Sequence, residues 1–160
     1  MARLMNEQAP FAGMAVHPLA ATRAVSCNPA LLQLALSRLA LLLQGPVGPF
    51  FDRITRWLET NGASVHRVIF QAGDRLDCRR GQPLDFAGDI GQWPEFLRNT
   101  LQRLNTDVIV LFGQARAHHA AAIALGKAAG LPVVVLEEGY VRPGYVTMEL
   151  GGVNGFSTTL

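Results

Sequence analysis

The sequence is short of charge and of cysteine, and both shortages exclude classes of protein. Only 16% of its 160 residues are charged, and the formal net charge of +2 comes without a basic run, so nucleic acid is not an expected partner. The two cysteines, Cys27 and Cys78, form no C-x-x-C pair. They indicate a reduced, cytosolic protein rather than a disulfide framework.

No apolar run is long enough to predict a membrane span. The longest run, Ala30 to Leu43, is broken by Gln33, Ser37 and Arg38, whereas a spanning helix needs about 20 apolar residues. The first residues also lack the apolar block and cleavage site of a signal peptide. We therefore expect a cytoplasmic protein with one substantial core, and its 49% hydrophobic content suggests an additional surface for a partner.

Apolar runs and helical periods alternate along most of the chain. Residues 1–29 show no period and are predicted to be a poorly structured leader, and residues 30–160 are predicted to form one domain. Strands alternating with helices favour parallel pairing, so we expect an α/β fold, a Rossmann-like three-layer sandwich with a mainly parallel sheet. The predicted strands are Leu39–Gln44, Ser64–Phe70, Asp107–Gly113 and Leu131–Leu136. The predicted helices are Ala30–Ser37, Phe50–Thr60, a helix that begins at Trp93, and His119–Ala129. Leu76–Gln92 is predicted to be irregular and Gly144–Leu150 to be extended.

Glycines and prolines follow the first predicted strand. Ligands of open α/β sheets bind at the carboxyl ends of the strands. At that place Gly45 and Gly48 would allow a ligand to approach the backbone, and amides at the start of the next helix could bind an anion. The intervening prolines remove amide donors, and the segment is not G-x-G-x-x-G. We therefore expect no dinucleotide at this loop. Elsewhere in the sequence, too, we expect neither a cofactor nor a metal.

Charged residues follow the second and third predicted strands. Asp74 and Arg75 are candidates for binding, or they form an exposed pair with each other worth under about 1 kcal/mol. Arg116 and His119 stand near the start of a helix, where an anion can bind. The alternative for His119 is an ordinary surface histidine.

The fourth predicted strand ends in two adjacent carboxylates, Glu137 and Glu138. Successive strand residues point to opposite faces, so only one of the two is expected to enter a cleft while the strand lasts. Gly139 permits a sharp turn, and Arg142, just before Pro143, could bind a carboxylate or phosphate. The alternative is a loop of solvated charges.

In combination, these segments resemble the N-terminal half of the bacterial capsule polysaccharide biosynthesis and export proteins, a group of β-Kdo transferases that build the Kdo linker on phosphatidylglycerol. Order and spacing agree from about Leu39 to Ser157. The matching segments are Leu42–Phe51, Gly73–Arg75, Leu111–Gly113 with Arg116 and His119, Glu137–Pro143, and Thr147, Glu149 and Gly151–Ser157.

The resemblance implies the N-terminal, acceptor-side domain of a GT-B glycosyltransferase, with the C-terminal domain that holds the CMP-Kdo donor absent. Glu137-Glu-Gly139 is similar to the D/E-D-G motif of bacterial sialyltransferases, which implies that Glu138 is the catalytic acid and Glu137 its neighbour. Because the family retains the anomeric configuration, Glu138 would act as a base or as a nucleophile. The residues implied in substrate binding are Gly45, Gly48, Asp74, Arg75, Gln114, Arg116, His119, Arg142 and Asn154.

The sequence also departs from that family. Gln114 stands where the family has an acid, and glutamine cannot act as a base or nucleophile. Gln71-Ala-Gly73 replaces Asn-Gly-Gly, and Ala117 replaces a proline. A transferase must hold donor and acceptor together, so this chain is expected to be inactive alone.

The resemblance implies partners as well: CMP-Kdo, a lipid-linked acceptor and capsule assembly or export proteins, with peripheral attachment to the inner membrane. One alternative is a non-catalytic interaction module of the capsule assembly and export machinery. Another is an unrelated nucleotide-binding enzyme, against which the missing pyrophosphate fingerprint argues.

Overall fold

A computed structural model describes residues 28–43, 45–139 and 144–152. The predicted leader up to residue 27 lies outside the described residues, and so do the candidates Arg142 and Asn154. The helices are α1 Pro29–Leu36, α2 Phe50–Thr60, α3 Ala72–Leu76, α4 Trp93–Leu104 and α5 Ala117–Ala129, and the strands are β1 Leu39–Leu42, β2 Ser64–Ile69, β3 Gln82–Asp85, β4 Val108–Phe112, β5 Val133–Glu138 and β6 Val146–Leu150.

The strands form one sheet in the order β3-β2-β1-β4-β5-β6. Every neighbouring pair is parallel except β5 and β6, which are antiparallel. Strand β1 pairs with both β2 and β4, so the chain order reverses direction at β1. The predicted Rossmann-like α/β architecture is confirmed, and its crevice is expected where the order reverses.

Alternate residues of the central strands face two separate halves of the core. Leu42 and Val110 pack with α1 and α2 on one side of the sheet. Leu41 and Leu111 pack with residues of α4 and α5 on the other side. Burying each such side chain contributes about 1.5–3 kcal/mol, and burial on both faces explains the continuous apolar runs that predicted these strands.

The structure differs from the prediction between residues 71 and 92. The segment predicted to be irregular contains β3, an edge strand in which Pro83 pairs with Arg67 of β2. Because β3 is mostly exposed, it has no apolar run from which the strand could be predicted. The predicted polar loop Gln71–Arg75 contributes to the short helix α3, at whose start the Asp74 carboxylate accepts from the backbone N–H of Gln71.

Candidate functional site

A cavity of about 330 Å³ opens at the carboxyl ends of β1 and β2. It brings together Gly45 from the loop after β1, Asp74 from α3 and Arg116 from the N-cap of α5, each of which was predicted to bind substrate. Such a volume is at the lower end of the range for small-molecule sites. Other lining residues are Pro46, Val47, Arg67, Gln71, Gly73, Leu76 and Asp77.

The loop after β1 is shaped by its two glycines. A Cβ added at Gly45 would lie 2.6 Å from the ring of Phe51, so only glycine fits there without moving that buried ring. Gly48 has φ +101°, a conformation that favours glycine. Its N–H donates to Oδ2 of Asp77 at 2.9 Å, and this bond connects the β1 loop to the end of α3.

Asp74 and Arg75 do not pair with each other as the alternative predicted. Oδ2 of Asp74 accepts from the backbone N–H groups of Phe70 at 3.0 Å and Gln71 at 3.1 Å. Arg75 instead forms an exposed ion pair with Asp85 of β3. Asp74 therefore lines the cavity with its carboxylate fixed by the backbone, whereas Arg75 supports the edge strand.

Arg67 is a buried cation in the cavity wall, and no motif in the sequence predicted it. Its side chain is only 7% exposed and forms an ion pair with Asp52 of α2, which is 13% exposed. The guanidinium also lies 6.0 Å from the centre of the Phe51 ring. A charged residue within a strand of buried residues was the available signal, since buried charges need partners.

His119 is buried rather than on the surface, contrary to the alternative considered for it. Its Nδ1 lies 2.5 Å from the carbonyl oxygen of Gly113, so Nδ1–H donates and Nε2 carries the lone pair. Burial lowers the pKa of His119 to about 4; Arg116 and His118 also lower it, against the opposing effects of the Gly113 bond and Asp74. The neutral ring thus joins α5 to the end of β4 and fixes the loop between them.

That loop carries two of the predicted binding residues. Gln114 is half-buried directly after Gly113, which has φ +74°. Arg116 is exposed at the N-cap of α5 and lines the cavity. The structure therefore places Arg116 at the cavity.

Glu137 and Glu138 are the last two residues of β5, whose pairing with β6 extends it beyond the predicted end at Leu136. Alternation places Glu138 on the side of the sheet facing α1 and α2, with Leu136, and Glu137 on the opposite side. Glu138 is exposed and Glu137 half-buried. Neither lines the cavity, because β5 lies two strands from β1, about 10 Å at ordinary strand spacing.

The described residues contain neither a cluster of metal ligands nor a membrane-spanning helix. Within residues 28–43, 45–139 and 144–152, no group of three or more His, Cys, Asp or Glu side chains could hold a metal ion. Among the helices described, none has the length and apolar character needed to cross a membrane.

The fold and the cavity define a Rossmann-like α/β domain with a ligand-sized cavity at the carboxyl edge of its sheet. Residues 107–159 match the family model described as capsule polysaccharide biosynthesis protein. The chain is also 42% identical over 118 residues, 74% of its length, to the capsule polysaccharide export protein KpsS of Escherichia coli. It is 39% identical over 119 residues, 73% of its length, to the capsule polysaccharide modification protein LipB of Neisseria meningitidis serogroup A.

The chain belongs to the capsule polysaccharide biosynthesis protein family, which confirms the resemblance seen in its motifs. The matched region covers 30% of the Escherichia coli protein and 28% of the Neisseria meningitidis protein. The chain thus spans less than a third of the length of these curated relatives.

Proposed function

We propose that this chain is the acceptor-side domain of a β-Kdo transferase, which uses CMP-Kdo to build the poly-Kdo linker on a phosphatidylglycerol lipid. In this proposal the domain faces a separate donor-binding domain in a GT-B arrangement, at the cytoplasmic side of the inner membrane. Family membership supports a role in capsule polysaccharide biosynthesis. The sheet order, with its crevice at the carboxyl edge, supports the ligand-binding role.

The observation that carries the proposal is the position of Glu138. It is an exposed carboxylate on the last residue of β5, at the carboxyl edge of the sheet and two strands from β1, where the cavity lies. No ion pair to Glu138 is present within the part of the chain that the structure describes. A carboxylate of this kind can reach a substrate and act on a sugar hydroxyl as a base, or on an anomeric carbon as a nucleophile.

We propose that the chain alone does not transfer Kdo. Transfer between two substrates requires both to be held in a reactive geometry. The wall formed by β1, β2 and the α5 loop offers one cavity of about 330 Å³, too small for a nucleotide sugar and a lipid-linked acceptor together. In this proposal the donor occupies a second domain.

The test is the substitution Glu138→Gln at the matching position of a full-length relative, assayed with CMP-Kdo and a lipid acceptor. Loss of the carboxylate is expected to lower kcat at least about 100-fold, the usual contribution of a positioned acid or base. The matched control is Glu95→Gln, since Glu95 is an exposed glutamate in the first turn of α4 that does not line the cavity. Unchanged transfer by the Glu138→Gln enzyme would remove that residue from the mechanism.

A second candidate function is a non-catalytic interaction module that binds a capsule assembly or export protein. It is favoured by Val47 and Leu76, which line the cavity yet are 97% and 78% exposed. Large apolar side chains so exposed at one edge are typical of a surface that another protein covers. Polar substitutions of both, Val47→Ser and Leu76→Gln, separate the candidates: an interaction module would lose its protein partner in co-purification, whatever becomes of transfer.

A further inference from the structure

Among the residues that the structure describes, the charges lining the cavity balance one another. Arg67 and Arg116 supply two cations, and Asp74 and Asp77 supply two carboxylates. Arg67 is in addition paired with Asp52 behind the wall. A cavity with this balance offers no net attraction to a phosphate dianion, which sites usually bind with an excess of cations or amide donors.

Two of these residues, Arg67 and Asp77, leave donors and an acceptor for a ligand. The hydrogen bonds that Arg67 donates, to Asp52 and to the carbonyl oxygen of Arg80, both use Nη1. A guanidinium has further N–H groups on Nε and Nη2. Asp77 accepts from Gly48 with Oδ2, which leaves Oδ1 as an acceptor.

A hydroxyl group is the common ligand group that both donates and accepts. Two adjacent hydroxyls can donate to a carboxylate and accept from a guanidinium at once, and both bonds are strengthened by the charge of the protein group. Pro46, Val47 and Leu76 add apolar surface to the same cavity, suited to the C–H faces of a small polyol. A volume of about 330 Å³ suits a ligand of monosaccharide size.

We infer that this cavity binds a vicinal diol, with Asp77 accepting from one hydroxyl and Arg67 donating to its neighbour. This inference rests on the proposed acceptor-side role and specifies which part of an acceptor the domain recognises. Sugar rings and glycerol headgroups are two sources of that chemistry. Asp52 and Phe51 are positioning residues, because they hold the Arg67 guanidinium in the wall.

The test is titration of the ¹⁵N-labelled full chain with methyl β-galactoside, glycerol and inorganic phosphate, each to the same high millimolar concentration. The amides of Gly48 and Gly73 report on the cavity from two of its sides. We expect a polyol to shift the resonances of both amides. The polyol that binds more tightly shows whether the natural ligand is a sugar ring or a glycerol headgroup. Inorganic phosphate is expected to leave them in place. A larger response to phosphate, or none to either polyol, would overturn the inference.

The matched variant is Asp77→Asn, which keeps an oxygen for the Gly48 N–H but removes the charge. Loss of one charge-assisted hydrogen bond is expected to weaken polyol binding about tenfold, whereas Glu95→Gln leaves it unchanged. Unchanged polyol affinity in Asp77→Asn would refute the inference. Because this assay measures binding alone, failed transfer in the Glu138→Gln experiment and failed polyol binding are separate results.

Discussion

Replacing Asp52 by asparagine is expected to destabilise the fold more than any change of an exposed charge. Arg67 and Asp52 are 7% and 13% exposed, so neither charge is well solvated in the folded chain. Removing one partner of a buried pair typically costs about 3–5 kcal/mol, because the other charge stays buried without compensation. Since both side chains keep some exposure, we expect the lower end, about 3 kcal/mol.

Urea unfolding measures this loss directly. With a slope of about 2 kcal/mol per molar for a chain of this size, a loss of about 3 kcal/mol lowers the midpoint by about 1.5 M. The matched control is Asp85→Asn, which breaks the pair between Arg75 and Asp85, whose side chains are 45% and 65% exposed. An exposed pair contributes under about 1 kcal/mol.

The double variant Asp52→Leu with Arg67→Met separates two reasons why Asp52→Asn would lose stability. One is the lost attraction of the ion pair, and the other is the Arg67 charge left buried without a partner. Apolar replacement of both members of a buried pair is often neutral or stabilising. We therefore expect the double variant to recover most of the stability that Asp52→Asn loses. The reasoning would be refuted if Asp52→Asn cost no more than Asp85→Asn, since Arg67 would then be as well solvated as an exposed arginine.

Two further predictions concern the residues around the cavity. Gly45→Ala is expected to cost about 1–3 kcal/mol, because its Cβ would meet the buried Phe51 ring at 2.6 Å, whereas Gly73→Ala, with nothing within 4 Å, is expected to be neutral or slightly stabilising in urea unfolding. Burial lowers the pKa of His119 from 6.5 to about 4. The stability that the neutral, buried ring contributes is therefore complete above pH 6.5. As the pH falls from 6.5 toward 4, the free energy of unfolding decreases by about 1.4 kcal/mol per pH unit. Urea unfolding at about pH 7.5 and about pH 5 should show this loss of stability, and the difference between the two pH values should be smaller in His119→Gln. An equal pH dependence in the variant would contradict the assignment of the loss to His119.

The sequence predicts the centre of the sheet better than its edges. Two central strands, Val108–Phe112 and Val133–Glu138, are buried on both faces along most of their length. Their continuous apolar runs therefore predict them. The bounds of α2, Phe50–Thr60, are predicted correctly, because its apolar face and the following Asn61-Gly62 mark both the period and the end. Strand β3 is missed because an exposed edge strand has no such pattern.

The candidate site is predictable only in part for a similar reason. Gly45, Asp74 and Arg116 each follow a predicted strand, so the rule that parallel strands end at one edge brings them together. Arg67 is missed because its importance depends on Asp52, 15 residues earlier in the chain and on a helix. Sequence periodicity identifies which residues are buried, but it does not pair a charge in a strand with its partner on a helix.

Strand β6 explains why the two adjacent glutamates are not equivalent. Its antiparallel pairing extends β5 to Glu138, opposite Val146, so strand alternation still applies at both acids. Glu138 consequently lies on the side of the sheet that packs against α2, and the Arg67–Asp52 pair lies on that side too, because Asp52 belongs to α2. Glu137 projects toward the side of α4 and α5. If β5 ended at Leu136, nothing in the sheet would separate the two carboxylates; because β5 continues, backbone pairing assigns Glu138 to the face that carries Arg67.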